Sequence, residues 1–354
     1  MSDKMTGQSC RNTLLFWCCS NIRRSLVSVA AVYTMFVSKL MLLAAITVTP
    51  QVLAAESSSL VRIGTGGSGG SYLPVGSLIA SSYSQLDAVT AIAQRSNGSV
   101  ANVQDLGEGL LEAALAQADI VHWAYRGDES FSETGAIENL RTLASLYLES
   151  LHFVVRDGSG IEELRDLSGK RVSTDEIGSG TQINVQHVLR SQGLADLDIK
   201  WVYLKPIDAI DRLRRGALDA FFVVAGYPVA GVTELIEEGI GNLLPLGIAD
   251  DSELLKDFPF FTVDDIPGHV YGNEQTVSTL AVPAQLIVDA RIDEEIAYDL
   301  TRQLWAQSTL ASLRDNHPKG SEVNFSSALI GLSAPLHPGA ARYYRERAHP
   351  DYLP

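Results

Sequence analysis

The sequence predicts an α/β fold of two lobes, each a sheet flanked by helices, with a ligand cleft between them. Strand-like and helix-like segments alternate along the chain after about residue 56, which is typical of sheets covered by helices. Two glycine-rich turns, one in each half of the chain, each stand between a predicted strand and a predicted helix. Roughly 300 residues follow the N-terminal segment, which is enough for two cores of ordinary size.

The first glycine-rich turn follows the short apolar run Val61–Ile63 and precedes an amphipathic segment from Tyr72 to Tyr83. Glycines let the backbone approach a ligand closely, and a helix that begins there presents free N–H groups and the positive end of its dipole. We therefore predict an anion site at this turn. Its candidate ligand-binding residues are Thr65, Gly66, Ser68, Gly69, Gly70, Ser71 and Tyr72.

Two further strand ends are predicted to lie at the same edge of the first sheet. One strand reads Ala88–Gln94 and leads to a helix that opens at Asn97-Gly98-Ser99, with a helical pattern as far as Leu115; the next strand is predicted at Asp119–Tyr125. Ligands of open α/β sheets bind at the carboxyl ends of the strands. The residues that this argument adds to the site are Arg95, Asn97, Ser99 and Tyr125.

The second half of the chain repeats this arrangement. The long apolar run Leu140–Arg156 leads into it, a strand is predicted at Lys170–Thr174, and a helix is predicted from Gln182. Later segments are a strand at Ile199–Tyr203, a helix at Ile207–Leu213, a strand within Leu218–Pro228, a strand at Thr276–Val282 and one long helix at Asp293–Arg314. The second anion turn adds Gly178, Ser179, Gly180, Thr181 and Gln182 to the site, and Tyr227 is predicted to close over the ligand. The predicted domains are a leader at 1–55, a discontinuous first lobe at 56–148 plus 277–354, and a second lobe at 149–276.

The N-terminal segment has the order of a secretory signal. Basic residues precede the apolar run Leu40–Val48, and small residues follow at Val52–Ala55. Translation from Met35 would give a leader of ordinary length, and an uncleaved anchor is the alternative. Either way, the body of the protein is predicted to be exported.

Composition narrows the class of partner. The chain has a formal net charge of −15, and removal of residues 1–55 takes away five basic residues and one acidic residue. The remaining chain is therefore more acidic still, which argues against nucleic acid or anionic lipid as a partner. All three cysteines, Cys10, Cys18 and Cys19, lie in the leader, so the mature chain has no thiol or cysteine metal site.

Several motifs taken together resemble the TAXI family, the extracytoplasmic solute receptors of tripartite ATP-independent periplasmic (TRAP) transporters. The segments that carry the resemblance are Ile63–Tyr72, Gly178–Thr181, Leu218–Phe222, Gly226–Pro228 and Leu336–Glu346. It implies a type II-like periplasmic binding protein, without catalysis or cofactor, that closes on a small organic acid or amino acid. Family ligands include glutamate, glutamine and dicarboxylates such as 2-oxoglutarate. TRAP permease subunits are the implied membrane partner, and a monomer is expected.

One residue departs from the family pattern. The family often has an arginine directly after the second glycine turn, whereas this chain has Gln182. A neutral amide cannot give the charged, bidentate grip of a guanidinium on a carboxylate. Arg95 is the candidate replacement, and the identity of the ligand stays open.

Other functions remain open in the sequence. Gly64-x-Gly66-x-x-Gly69 fits the spacing of a dinucleotide fingerprint, but the following strand ends at Arg95 rather than at an acidic residue. The seven histidines are scattered singly, and Gly178-Ser179-Gly180 lacks the frame of a nucleophile elbow, so neither a metal site nor a hydrolase is favoured. A receptor that presents its ligand to a sensor kinase would have the same sequence features.

Overall fold

A computed structural model describes residues 58–272 and 275–352. The predicted leader at 1–55, with its alternative start at Met35, lies outside these residues. The strands are β1 (Ser59–Gly64), β2 (Val89–Gln94), β3 (Ala113–Gln117), β4 (Leu140–Arg156), β5 (Arg171–Ser173), β6 (Lys200–Val202), β7 (Ala220–Ala225), β8 (Gly241–Leu244), β9 (Thr262–Ile266) and β10 (Val277–Asp289). The α-helices are α1 (Tyr72–Tyr83), α2 (Ser99–Gly107), α3 (Ala118–Arg126), α4 (Gly180–Ser191), α5 (Pro206–Arg214), α6 (Ala230–Glu237), α7 (Glu253–Asp257), α8 (Glu294–Leu304), α9 (Gln307–Asn316) and α10 (Pro338–Glu346).

The ten strands form one mixed sheet in the order β2-β1-β3-β10-β4-β7-β5-β6, with β8 paired to β4 and β9 paired to β10. At one end β1, β2 and β3 are parallel, and at the other end β5, β6 and β7 are parallel. Antiparallel β4 and β10 run through the middle and pair with strands of both ends. We call β1–β3 with α1, α2, α8, α9 and α10 the first lobe, and β5–β8 with α4, α5 and α6 the second lobe.

This topology confirms the predicted α/β fold class and corrects one part of it. The sequence predicts parallel sheets, but the two long strands that join the lobes are antiparallel to their neighbours. Both are buried along most of their length, so their sequences show no alternation that would reveal strand direction. The residue limits predicted for the lobes stay a prediction.

The strand predicted at Asp119–Tyr125 is wrong. The third strand is β3, one segment earlier, and residues 118–126 form α3. Every residue of β3 is buried, and a short buried strand cannot be told from a helix by periodicity alone. The helix carries Asp119 in its first turn and Arg126 in its last, and Gly127 ends it in the left-handed conformation at φ 73°.

The long helix predicted at Asp293–Arg314 is two helices, α8 and α9, separated at Trp305 and Ala306. The Trp305 indole nitrogen donates to the Tyr344 hydroxyl at 3.0 Å, and Tyr344 donates to the Leu143 carbonyl oxygen at 2.9 Å. These contacts fix the break against β4 and α10. None of the described helices combines the length and apolar character that a membrane crossing requires.

Two of the buried clusters belong mainly to one lobe each. In the first lobe, Ile63 of β1 packs with Ile79 of α1 and Leu300 of α8. In the second lobe, Leu213 of α5 packs with Phe221 of β7 and Leu235 of α6. A third cluster joins residues of both lobes, including Leu106 of α2 and Val188 of α4. The two lobes are therefore in contact in this structure.

Candidate functional site

Four helices begin around one small cavity between the lobes. Two of them, α1 and α2, belong to the first lobe, and α4 and α5 belong to the second. In the chain as described, none of the four has a side chain that caps its first turn. The first N–H groups of a helix have no partner within it, so uncapped starts form a positive, donor-rich wall. This arrangement favours an anionic group in the cavity.

The cavity has a volume of about 40 Å³. Small-molecule sites usually measure roughly 300–1,000 Å³, so a ligand of amino-acid size needs the lobes to separate. The residues that line it are Gly66, Gly67, Gly70, Ser71, Tyr72, Asn97, Gly98, Ser99, Gln117, Glu149, Asp175, Ser179, Gly180, Thr181, Pro206, Val223 and Val224.

Hydrogen bonds cross the cleft at its rim. Ser71 Oγ at the start of α1 accepts from the Gly226 amide at 2.9 Å. Asn97 Nδ2 donates to the Ile177 carbonyl oxygen at 3.3 Å, and the Ala101 amide of α2 donates to the Gly178 carbonyl oxygen at 3.1 Å. Since each bond joins one lobe to the other, all of them stabilise the arrangement in which the lobes touch.

Three buried polar atoms of the lining have no hydrogen-bond partner among the described residues. They are Tyr72 Oη, Gln117 Oε1 and Glu149 Oε2, on residues that are 7%, 4% and 2% exposed. Buried polar groups are almost always hydrogen-bonded, and an unsatisfied one costs about 1–3 kcal/mol. The Tyr72 hydroxyl and the Glu149 carboxyl influence each other's pKa, but these two atoms make no hydrogen bond of normal geometry. Three such atoms around one cavity indicate a ligand that supplies the missing partners.

The lining contains two carboxyl groups. Burial is the largest cause that raises the pKa of Glu149 to about 8, and the nearby Asp119 carboxyl adds to the rise. Burial also raises the pKa of Asp175 to about 7. No lysine or arginine belongs to the described lining. The positive wall formed by the helix starts thus faces acidic side chains rather than basic ones.

One buried cation beside the cleft is held by other partners. Lys319, 3% exposed, lies in a short 3-10 helix at Pro318–Ser321 that packs on α9. Its Nζ is 2.7 Å from Glu322 Oε1 and 3.5 Å from the centre of the Tyr227 ring. Lys319 acts on Glu149 only through its charge, which opposes the rise in the pKa of Glu149.

Most residues of the two predicted turns come together at the cavity. The predicted site residues in its lining are Gly66, Gly70, Ser71, Tyr72, Asn97, Ser99, Ser179, Gly180 and Thr181. Thr65, Ser68, Gly69 and Gly178 belong to the same turns but not to the lining. Thr65 is buried and its hydroxyl donates to the Gln94 carbonyl oxygen at 2.7 Å, which is a structural contact.

Four predicted site residues lie elsewhere. Arg95 is exposed outside the lining, so the structure does not place it as the replacement for the missing family arginine. Tyr125 is displaced because its segment is the helix α3 rather than a strand. Gln182 lines a separate surface depression of about 370 Å³ with Trp201 and Tyr203. Tyr227 lies under Lys319 rather than in the lining.

The lining residues that the sequence argument missed include Gln117, Glu149 and Asp175. Gln117 ends β3, whereas the sequence predicts the third strand one segment later, at Asp119–Tyr125. Glu149 stands in the long apolar run of β4, and a lone carboxyl in such a run is itself a signal, since acids are rarely buried without a role. Asp175 follows β5 closely, at the strand edge where ligands of α/β sheets bind.

Comparison with known proteins adds a family and a set of similar structures. One is the alkanesulfonate-binding protein SsuA from Xanthomonas axonopodis pv. citri bound to MOPS, at 16% identity and TM-score 0.45, covering 84% of this chain and 95% of that one. Another is the substrate-binding protein of an amino acid ABC transporter, at 13% identity and TM-score 0.42, covering 73% and 100%. A third is an ancestral arginine-binding protein bound to arginine, at 14% identity and TM-score 0.43, covering 69% and 90%. Residues 63–347 match the NMT1-like family, and the chain belongs to that family.

Proposed function

We propose that this chain is the extracytoplasmic solute-binding component of a membrane transport system, without catalytic activity. It binds a small solute that carries a carboxylate, closes its lobes over it and delivers it to a permease. The observation that carries this proposal is the convergence of four uncapped helix starts on a cavity between the lobes, next to buried polar atoms without partners.

The binding step follows from this geometry. A carboxylate accepts hydrogen bonds from the first amides of α1 and α2, and closure adds those of α4 from the other lobe. Helix α5 begins at Pro206, which has no N–H, so it contributes the positive end of its dipole. Hydrogen bonds to charged groups are worth about 1.5–3 kcal/mol each, so three or four give micromolar affinity after the cost of ordering. The closed state is favoured because only there do both walls contact the solute.

The TAXI-like motifs of the sequence support a TRAP permease as the membrane partner. The acidic balance of the chain and its leader-like N-terminus support a periplasmic location. Uptake of a labelled solute in cells with and without this chain, and with and without the TRAP permease subunits, tests the partner. Uptake that persists without the permease would reject it.

Gly70 provides a direct test of the binding geometry. A Cβ on Gly70 would be 3.9 Å from its nearest neighbour, Gly67 O, so Gly70→Ala fits as a matched control. A phenylalanine there would fill the cavity that Gly70 lines. We expect Gly70→Phe to abolish solute binding by calorimetry, with a ligand-free melting temperature close to that of Gly70→Ala. Retained affinity in Gly70→Phe would refute a solute at the α1 turn.

The solute class is tested by thermal-shift screening of residues 56–354 against amino acids, dicarboxylates and 2-oxo acids. We expect at least one carboxylate solute to raise the melting temperature in a concentration-dependent way. A screen in which only uncharged solutes stabilise the chain would refute the carboxylate.

A further inference from the structure

We propose that Glu149, with Gln117 and Tyr72, forms an ammonium-binding subsite, which selects a zwitterionic amino acid over a dicarboxylate or a 2-oxo acid. The inference rests on the proposed function and narrows its solute class. It starts from the chemistry of the three unpartnered atoms. A carboxylate oxygen and an amide oxygen only accept hydrogen bonds, and a tyrosine hydroxyl can also accept.

An ammonium group supplies what these atoms lack. It has three donors and no acceptor, and its positive charge matches a buried carboxylate. A solute with carboxylates alone would set its own negative charge against Glu149, or would require Glu149 to stay protonated. Since no basic side chain belongs to the described lining, the solute is the partner that can balance Glu149.

The three residues that carry the acceptor atoms line the same cavity as the helix starts. A Cβ placed on Gly180, the first residue of α4, would overlap Gln117 Oε1, so the Gln117 amide lies directly against that helix start. Tyr72 is the first residue of α1. One small solute can therefore place a carboxylate at the helix starts and an ammonium at the three acceptors. An α-amino acid has these two groups on one carbon.

The charged and titratable groups around Glu149 determine how binding depends on pH. Tyr72 of α1 and Lys319 of the 3-10 helix favour the ionised form of Glu149, whereas Asp119 of α3 disfavours it. Two further titratable groups are close: Tyr147 lies on the same strand as Glu149, and Asp175 lines the same cavity. With a pKa of about 8, Glu149 is largely protonated in the free protein at neutral pH. An ammonium binds the ionised form, so amino-acid affinity should rise as the pH rises toward 8. A dicarboxylate binds better to the protonated form, so its affinity should fall over the same range.

The experiment uses matched pairs of solutes on the mature chain, each amino acid against the 2-oxo acid with the same side chain, such as L-glutamate against 2-oxoglutarate. Calorimetry at pH 6.5 and pH 8 gives the affinity ratio of each pair. We expect an amino acid to bind at least tenfold tighter than its oxo partner, and the ratio to grow with pH. We expect isosteric Glu149→Gln to reduce amino-acid affinity about tenfold to a hundredfold and to flatten the pH dependence, with the oxo acid changed less.

The outcomes separate the two proposals. Oxo acids or dicarboxylates that bind as tightly as their amino partners, or a ratio that Glu149→Gln leaves unchanged, would overturn the ammonium subsite and leave the carboxylate-binding function standing. If no carboxylate solute of either kind binds, both proposals fail. The wild-type ratio and its pH dependence decide the matter even if Glu149→Gln does not fold.

Discussion

Replacement of Gly226 by alanine should prevent the lobes from closing without damage to either core. Gly226 follows β7 in the second lobe, and its amide donates across the cleft to Ser71 Oγ. A Cβ at this position would overlap Lys319 Cγ and would lie 3.4 Å from Ser71 Oγ. Both neighbours belong to the opposite side of the cleft, so the clash exists only while the lobes are together.

The size of the effect follows from how firmly Lys319 is held. Its side chain is buried, paired with Glu322 and stacked on Tyr227, so it cannot move aside without loss of these contacts. Overpacking of one methyl group typically costs about 1–3 kcal/mol. If this cost falls on the closed state alone, it weakens solute affinity by about 5- to 150-fold.

The assay is calorimetric titration of Gly226→Ala with the best solute from the thermal-shift screen, beside Gly70→Ala as a control alanine that has room. Small-angle scattering should show less compaction on solute addition than in the unchanged protein. The ligand-free melting temperature should stay within a few degrees of the control. Unchanged affinity, or a ligand-free protein that is itself strongly destabilised, would refute closure as the step that Gly226 permits.

Two further substitutions test how the fold supports the site. Asp219 accepts hydrogen bonds from Arg171 at 2.8 and 2.9 Å and from Arg156 at 3.1 Å, and these contacts hold its pKa well below the usual range. Asp219→Asn should reduce the free energy of unfolding by about 2 kcal/mol in urea titrations at pH 7. Because the pKa of Asp219 is depressed in the folded protein, this loss of stability should become smaller as the pH falls below about 4. A loss of stability that does not depend on pH would count against the ion pairs. Asn102 is fully buried, and its side-chain amide donates to the carbonyl oxygens of Thr65 and Leu115, both at 2.7 Å. Asn102→Ala should therefore reduce the free energy of unfolding by about 2–4 kcal/mol and weaken solute binding. The control Asn97→Ala should leave the free energy of unfolding nearly unchanged.

The two glycine turns could be predicted because their chemistry is local. A strand, a run of glycines and a helix start are contiguous in the sequence, and α1 and α4 begin at Tyr72 and Gly180, close to the predicted positions. The start of α2 at Ser99 could be predicted from the sequence for the same reason. The start of α5 was not connected to the site, because only the folded chain brings Pro206 beside the turns.

The acidic part of the lining could not be placed in this way. Glu149 lies in a 17-residue strand that is buried on both faces, so the sequence does not show which way its side chain points. Gln117 is not predicted as a site residue because the sequence does not reveal that β3 ends there. The alanine-rich segment has a weak intrinsic preference for the strand conformation, and its burial in the sheet determines that conformation. The positions of these two residues depend on pairing between strands that are distant in the sequence, which a local sequence pattern does not show.

The position of Glu149 explains why one residue can influence both binding and selectivity. In the register of the sheet it pairs with Val282, near the middle of the two long strands that join the lobes. On one side of it β10 pairs with β3 of the first lobe, and on the other side β4 pairs with β7 of the second lobe. Glu149 is therefore attached to the segment that both lobes share, while the helix starts are attached to the lobes themselves. A solute whose ammonium contacts Glu149 on the shared strand β4 can present its carboxylate to the helix starts of both lobes at the same time. A solute without the ammonium meets the same walls but leaves a buried carboxyl unbalanced, so it loses affinity in the closed state, where Glu149 has the least access to water.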